Sequence, residues 1–223
     1  MSKGVTFYFV RHGETYFNFY GRMQGWSNAP LTPKGIEDVK RSGKGLADVK
    51  FDAVYTSDLS RTIETANYLL GENNHKDGLE LQPMKEFREV GFGYFEGLDS
   101  SKSWNKAVDH IVIKHDLPVA TEPGMVEVLD SFKELDPSKV AENYAEFWMR
   151  VESGLLELLN RHAGTNEKIL VVCHGLTIRN LLHGLVAEFD ETDPLDNASV
   201  SKVQYIDGHF RLLAYNKTSH FTD

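Results

Sequence analysis

The sequence predicts an α/β fold built on a mixed, mostly parallel sheet, and two observations lead there. Short β-branched and aromatic runs alternate with amphipathic helical stretches, the pattern of βαβ units. Near the C-terminus, Asp207-Gly208 stands between two alternating runs, a hairpin signal that adds an antiparallel piece. Composition agrees: 223 residues with 41% hydrophobic and 26% charged side chains suit a globular chain and exclude a wholly disordered one.

Val5–Val10 (VTFYFV) reads as a buried strand that stops at a charged cluster. Thr32-Pro33 opens a helix, with Thr32 as N-cap and Pro33 at the first helical position. Ala53–Thr56 reads as a second strand, followed by a helix over about 59–70 with Gly71 as its C-terminal cap. Leu79–Met84 suits a third strand. Residues 98–137 carry prolines and mixed charge and read as an insertion with helical pieces. Val140–His162 has the stripe of a long amphipathic helix. Ile169–Cys173 (ILVVC) is the clearest buried strand, and Leu176–Val186 reads as a helix. Val200–Tyr205 and Phe210–Tyr215 flank the hairpin turn. No repeat or linker divides the chain, so one domain spanning 1–223 is expected, with a partly helical cap at about 98–137.

With 24 Lys and Arg against 33 Asp and Glu, the net charge is −9. That argues against nucleic acid and anionic membranes as partners; an anion handled by this chain needs a local positive pocket. The single cysteine, Cys173, allows no internal disulfide, and no apolar run is long enough for a signal core or a spanning helix. A cytoplasmic protein is expected. Oligomeric state is not readable.

Three expected strands end in polar clusters: Arg11-His12-Gly13-Glu14-Thr15, Ser57-Asp58-Leu59-Ser60-Arg61 and His174-Gly175. In open α/β sheets ligands bind beyond the carboxyl ends of the strands. If the strands are parallel neighbours, one crevice gathers two imidazoles and two guanidiniums, and each cluster leads toward a helix N-terminus with its backbone donors. That is a phosphate site.

These segments also carry a resemblance. Arg11 to Asn18 (RHGETYFN) fits RHG-x-T-x-x-N. Gln24-Gly25, Leu31-Thr32 and Gly35 fit the stretch that follows it. Ser57 to Ala66 (SDLSRTIETA), Phe87 to Gly97 (FREVGFGYFEG), His174 to Arg179 (HGLTIR) and Asn197-Ala198-Ser199 follow in order. The chain resembles the histidine phosphatase superfamily, in the branch containing cofactor-dependent phosphoglycerate mutases. The resemblance implies a three-layer α/β/α sandwich, a small-molecule phosphate ester as partner, and no metal or cofactor. It implies His12 as the nucleophile that becomes phosphohistidine, and Arg11, Arg61 and His174 on the phosphate oxygens with Asn18 assisting. Glu89 would be the proton donor to the leaving oxygen.

The chemistry suits these residue types. A nucleophilic imidazole must be neutral with its tautomer fixed, and nearby arginines disfavour imidazolium. A glutamate serves as acid near neutral pH only with a raised pKa. Ser57 reads as a substrate donor or only a helix cap, and Gln24 as a substrate contact. Glu96 reads as structural and Cys173 as a buried apolar residue. Phe92, Tyr94 and Trp104 are candidates for an apolar rim. The remaining histidines (75, 110, 115, 162, 183, 209 and 220) lack ligand spacing. Asn28, Asp38 and Ala198 depart from the pattern, which more often has Asp, Gln, and Cys or Gly there.

The expected activity is phosphomonoester hydrolysis. The alternative is phosphoglycerate mutase chemistry on the same residues, and a remote one is a non-catalytic module that binds phosphorylated ligands. Mutases of this kind carry a Tyr-Arg-Arg element after the position of Gly97, whereas Leu98 to Trp104 (LDSSKSW) has no arginine. That favours hydrolysis.

Overall fold

A computed structural model describes residues 3–187, 189 and 194–218; His220 lies outside them. Strand β1 is Val5–Arg11, followed by a short helix α1, Tyr16–Phe19. Helix α2, Pro33–Gly45, starts as expected, with the Thr32 side chain accepting from the Gly35 N–H. Strand β2 is Ala53–Thr56 and helix α3 is Ser60–Gly71. Strand β3 shortens to Leu81–Pro83. Helices α4 (Ser100–Lys114), α5 (Met125–Leu135) and α6 (Tyr144–His162) follow, then β4 (Lys168–Cys173), α7 (Gly175–Leu185) and the hairpin of β5 (Val200–Ile206) and β6 (His209–Lys217).

The strands form one sheet in the order β3-β2-β4-β1-β5-β6. β3, β2, β4 and β1 run parallel, while β5 is antiparallel to β1 and β6 to β5. Alternate strand residues point to opposite faces, and the core divides accordingly. Phe7, Phe9, Tyr55, Ile169, Val171 and Cys173 join one cluster with residues of α4, α5, α6 and α7. Tyr8, Val10, Val54, Leu170 and Val172 join another with Val39 on α2, Leu46 at its C-cap, and Ala66 and Leu69 on α3. The result is a three-layer α/β/α sandwich around a mixed sheet. Among the described residues no helix is long and apolar enough to cross a membrane.

Three local expectations are corrected. Gly71 does not cap α3 in a left-handed conformation; it is the last helical residue and Glu72 closes the helix at φ −92°. The long helix starts at Tyr144 rather than Val140, because Asn143 and Glu146 form a reciprocal capping box while the Asp136 carboxylate takes the N–H groups of Ser138, Val140 and Ala141. Phe92 and Trp104 form no rim: their rings meet Phe132 edge to face at 5.3 and 5.1 Å within the core between α4, α5 and the sheet. The hairpin turn has φ 53° at Asp207 and 80° at Gly208, positive at both central positions, as a two-residue turn of type I′ requires.

Candidate active site

Register assembles the site. β1 and β4 pair so that Arg11 lies opposite Cys173, and β4 pairs β2 so that Val172 lies opposite Thr56. The next residues of the three strands therefore emerge at one level. The His12 N–H donates to the Cys173 carbonyl at 3.1 Å, and the Ser57 N–H to the Val172 carbonyl at 3.0 Å. The His12 and His174 rings then stand edge to face with centroids 5.2 Å apart.

His12 is 3% exposed. Its Nδ1 donates to the Gly13 carbonyl at 2.8 Å; a carbonyl only accepts, so the proton sits on Nδ1 and Nε2 carries the lone pair. Burial first, then the charges of Arg61 and Arg11, push its pKa well below the ordinary histidine value. Burial thus outweighs the arginines in keeping this imidazole neutral.

His174 is the N-cap residue of α7 and fully buried. Arg61 Nη2 donates to its Nδ1 at 3.0 Å, so Nε2 bears the proton and donates to Ser57 Oγ at 2.8 Å. Ser57 Oγ lies 2.8 Å from Thr62 Oγ1, and Thr62 donates to the Ser57 and Leu59 carbonyls. Ser57 is thus bound to an imidazole; the N-cap of α3 is Leu59, with only a 3.4 Å bond from its N–H to Ser57 Oγ.

Arg61 is fully buried. It donates to the carbonyls of Ser27 and Gly25 at 2.9 and 2.7 Å and to Asn28 Oδ1 at 3.3 Å. Burial lowers its pKa to about 10, which leaves it a cation at neutral pH. Arg11 donates to the Leu195 carbonyl, and burial lowers its pKa also. Among the described residues, three buried donors here have no hydrogen-bond partner: Arg11 Nε, Arg61 Nε and Gln24 Nε2. A buried unpaired donor costs about 1–3 kcal/mol, so unpaired donors on the two arginines whose charges act on His12 point to an anion.

Glu89 is 7% exposed and sits against the start of α7. Its carboxyl accepts from the N–H groups of Leu176 and Thr177 at 3.0 and 3.1 Å and from the Thr177 hydroxyl at 3.1 Å. Burial raises its pKa, with the Leu176 and Val90 N–H groups and the charges of Arg61 and Arg11 opposing. Asn18 Oδ1 accepts from the Thr15 N–H and from Asn197 Nδ2, whose other acceptor is the His12 carbonyl at 3.1 Å. Thr15 Oγ1 donates to Gln24 Oε1 at 2.6 Å.

Glu96 accepts from the N–H groups of Gly25, Trp26, Ser27 and Phe92 at 2.8–3.1 Å, binding the loop that carries the Arg61 acceptors. Burial raises the Cys173 thiol pKa, and the side chain lies in the core. Lys114 pairs with Glu134. The structure thus brings His12, Arg11, Arg61, His174, Glu89, Asn18, Gln24 and Ser57 into one cluster. Sequence reasoning missed the parts of Thr177, which holds Glu89, and Asn197, which holds His12; both lay inside recognised motifs. Among the described residues no group of three His, Cys, Asp or Glu side chains is placed to hold a metal ion.

Comparison with known proteins gives consistent results. The family model described as histidine phosphatase superfamily (branch 1) matches residues 7–218. The protein named uncharacterized phosphatase PhoE of Bacillus subtilis (strain 168) is 28% identical over 96% of this chain and 95% of its own. A 2,3-bisphosphoglycerate-dependent phosphoglycerate mutase of Allorhizobium ampelinum is 30% identical over 79% of this chain and 77% of its own. The crystal structure of a phosphoglycerate mutase from Bacillus anthracis superposes with a TM-score of 0.87 at 33% identity, covering 98% of this chain and 96% of that one.

Proposed function

The chain belongs to the histidine phosphatase superfamily (branch 1), and on that premise we propose that it hydrolyses small phosphate monoesters through a phosphohistidine on His12. It is an enzyme of that family, with phosphatases and mutases among its relatives. One observation carries the choice of nucleophile: a buried neutral imidazole, anchored through Nδ1 and with its Nε2 lone pair free, lies within the field of Arg11 and Arg61, whose buried Nε donors are unpaired.

In the first step Nε2 attacks phosphorus and the P–O bond to the leaving group breaks. Glu89, protonated, gives its proton to the departing oxygen. In the second step water attacks the phosphohistidine, the P–N bond breaks, and Glu89 takes the water's proton. Arg11 and Arg61 hold the equatorial oxygens, whose charge grows in the transition state. Arrival of a phosphate dianion raises the Glu89 pKa further, which supplies the acid form. His174, expected on the phosphate oxygens, has both ring nitrogens engaged, by Arg61 and Ser57, and in this reading acts by orienting Arg61 through Nδ1; Asn18, Gln24 and Ser57 complete the substrate cradle directly or through neighbours. The chain works as one domain, with 98–137 as a cap that sets specificity, in the cytoplasm.

One observation favours the mutase alternative. Arg22, Lys102 and Lys106 line one groove with Tyr94 and Leu98, and in the mutase reading this positive groove would receive a second acidic group. The deciding experiment measures phosphate release against interconversion of 2- and 3-phosphoglycerate, with a rapid quench for an acid-labile, base-stable phosphoryl adduct on residue 12. Release faster than interconversion, with the adduct absent in His12→Ala, is the expected result. No adduct in the active wild type overturns the mechanism, and dominant interconversion selects the mutase.

A further inference from the structure

The main chain around Glu89 is held by side-chain donors from α6 and from Trp26. Arg150, on α6, donates from Nη1 to the carbonyls of Glu86 and Arg88 at 2.8 and 3.1 Å, and from Nη2 to the Glu89 carbonyl at 3.1 Å. The same guanidinium forks onto Glu142 with two bonds of 2.7 Å. Glu142 completes the circuit: its Oε2 accepts from the Gly91 N–H at 2.9 Å and its own N–H donates to the Gly91 carbonyl at 2.8 Å. Trp26 Nε1 adds a second donor to the Glu89 carbonyl at 2.9 Å, and its ring lies 5.8 Å from the Arg150 guanidinium. The pair is mostly buried, at 15% and 10% side-chain exposure.

A buried ion pair is a weak source of stability, because its attraction is spent against desolvation. This one spends its donors instead on three carbonyls of one short segment, those of Glu86, Arg88 and Glu89. A planar fork with fixed donors is the group suited to that task, and an ammonium is not. We infer that Arg150, oriented by Glu142, is a positioning residue for Glu89: it fixes the 86–91 main chain so that the Glu89 carboxyl meets the first turn of α7 beside His12. The inference rests on Glu89 being the proton donor. A general acid displaced by an ångström loses most where the leaving group most needs a proton.

The test compares kcat/KM, which reports ester cleavage, on an alkyl phosphate and on p-nitrophenyl phosphate, whose leaving group needs little protonation. Wild type, Arg150→Met, Arg150→Lys, Glu142→Gln and Glu89→Gln are measured together. Inorganic phosphate, through its shift of the melting temperature, reports that each variant keeps the binding site. The alkyl-to-aryl ratio is expected to fall at least tenfold in Arg150→Met and in Glu89→Gln, less in Glu142→Gln, with partial recovery in Arg150→Lys. A ratio that falls in Glu89→Gln but not in Arg150→Met or Glu142→Gln overturns this inference alone, as does loss of the folded state in every Arg150 and Glu142 variant. An unchanged ratio in Glu89→Gln overturns the reading of Glu89 as proton donor, and this inference with it.

Discussion

His12 and His174 face each other edge to face across 5.2 Å, yet carry their protons on different nitrogens. His12 spends Nδ1–H on the Gly13 carbonyl, while His174 spends Nε2–H on Ser57 and offers Nδ1 to Arg61. Two cationic imidazoles this close, beside two arginines, would repel strongly in a water-poor site. Burial and those arginines keep both rings neutral. One ring is thereby left with a bare lone pair at Nε2, and the other becomes the fixed point from which Arg61 is aimed.

Neutral buried histidines make stability depend on pH. Both folded-state pKa values lie well below the ordinary value of about 6.5. Below that value the unfolded chain binds protons that the folded chain refuses, so stability falls as pH drops from about 6.5, by at most about 1.4 kcal/mol per pH unit for each ring. Glu89, with its pKa raised by burial, acts in the opposite direction from the carboxylate range upward. Urea midpoints between pH 7.5 and 5.5 should fall for the wild type and fall less for His12→Gln. Identical pH dependence in the two proteins would refute this account of His12.

Ser57→Ala removes the acceptor of a fully buried N–H. The His174 ring is left with an unsatisfied donor, costing about 1–3 kcal/mol, and its tautomer is no longer held by two partners. Arg61 then loses the fixed orientation of one of its acceptors, His174 Nδ1. We expect a lower unfolding midpoint and weaker inorganic phosphate binding, by about tenfold. Ser57→Thr, which keeps the hydroxyl, should bind phosphate better than Ser57→Ala; equal binding would reduce Ser57 to a local turn residue.

The parts of the site that the sequence exposes are those set by strand register and local motif. Val10 and Val172 precede polar clusters, and because β1, β4 and β2 are parallel neighbours, those clusters meet. The sheet face on which Cys173 lies follows from alternation. What stays hidden is long-range: the bond from Arg150 to the Glu89 carbonyl joins residues 61 apart, and no local pattern marks it. α1 is not legible in the sequence because four residues show no period, although Thr15 and Asn18 form a cap. Phe92 and Trp104 fill the core rather than line a rim, and the sequence does not separate the two, because an aromatic near a motif reads alike in either place; Phe132, forty residues on from Phe92, decides it.

Gly25 illustrates a motif glycine whose reason is contact rather than conformation. A Cβ there would lie 2.0 Å from the Val90 carbonyl oxygen and 2.4 Å from Glu96 Oε1. Gly25→Ala must push the 24–28 loop away from Glu96 and carry the Arg61 acceptor with it. Overpacking of this kind costs about 1–3 kcal/mol, and phosphate affinity should fall together with stability. Gly71→Ala, where a Cβ meets nothing within 4 Å, should be neutral or stabilising by up to about 1 kcal/mol. Thermal melts with and without phosphate check both.

The groove lined by Arg22, Lys102 and Lys106 yields the last prediction. Asp99 lies among them and offsets one charge, so the groove is a local positive site on a chain of net charge −9. Arg22 is joined to Asp99 by an isolated antiparallel bridge, and the Met23 N–H donates to the Leu98 carbonyl at 2.8 Å, so the groove is rigidly tied to the segment carrying Gln24. Each exposed charge contact is worth under about 1 kcal/mol. Lys102→Ala with Lys106→Ala should therefore raise KM for 3-phosphoglycerate by about three- to tenfold, and by a smaller factor for p-nitrophenyl phosphate, whose leaving group carries no second acid. Equal changes for the two esters would mean that the groove takes no part in choosing the substrate, and would remove the one structural observation that favours the mutase alternative.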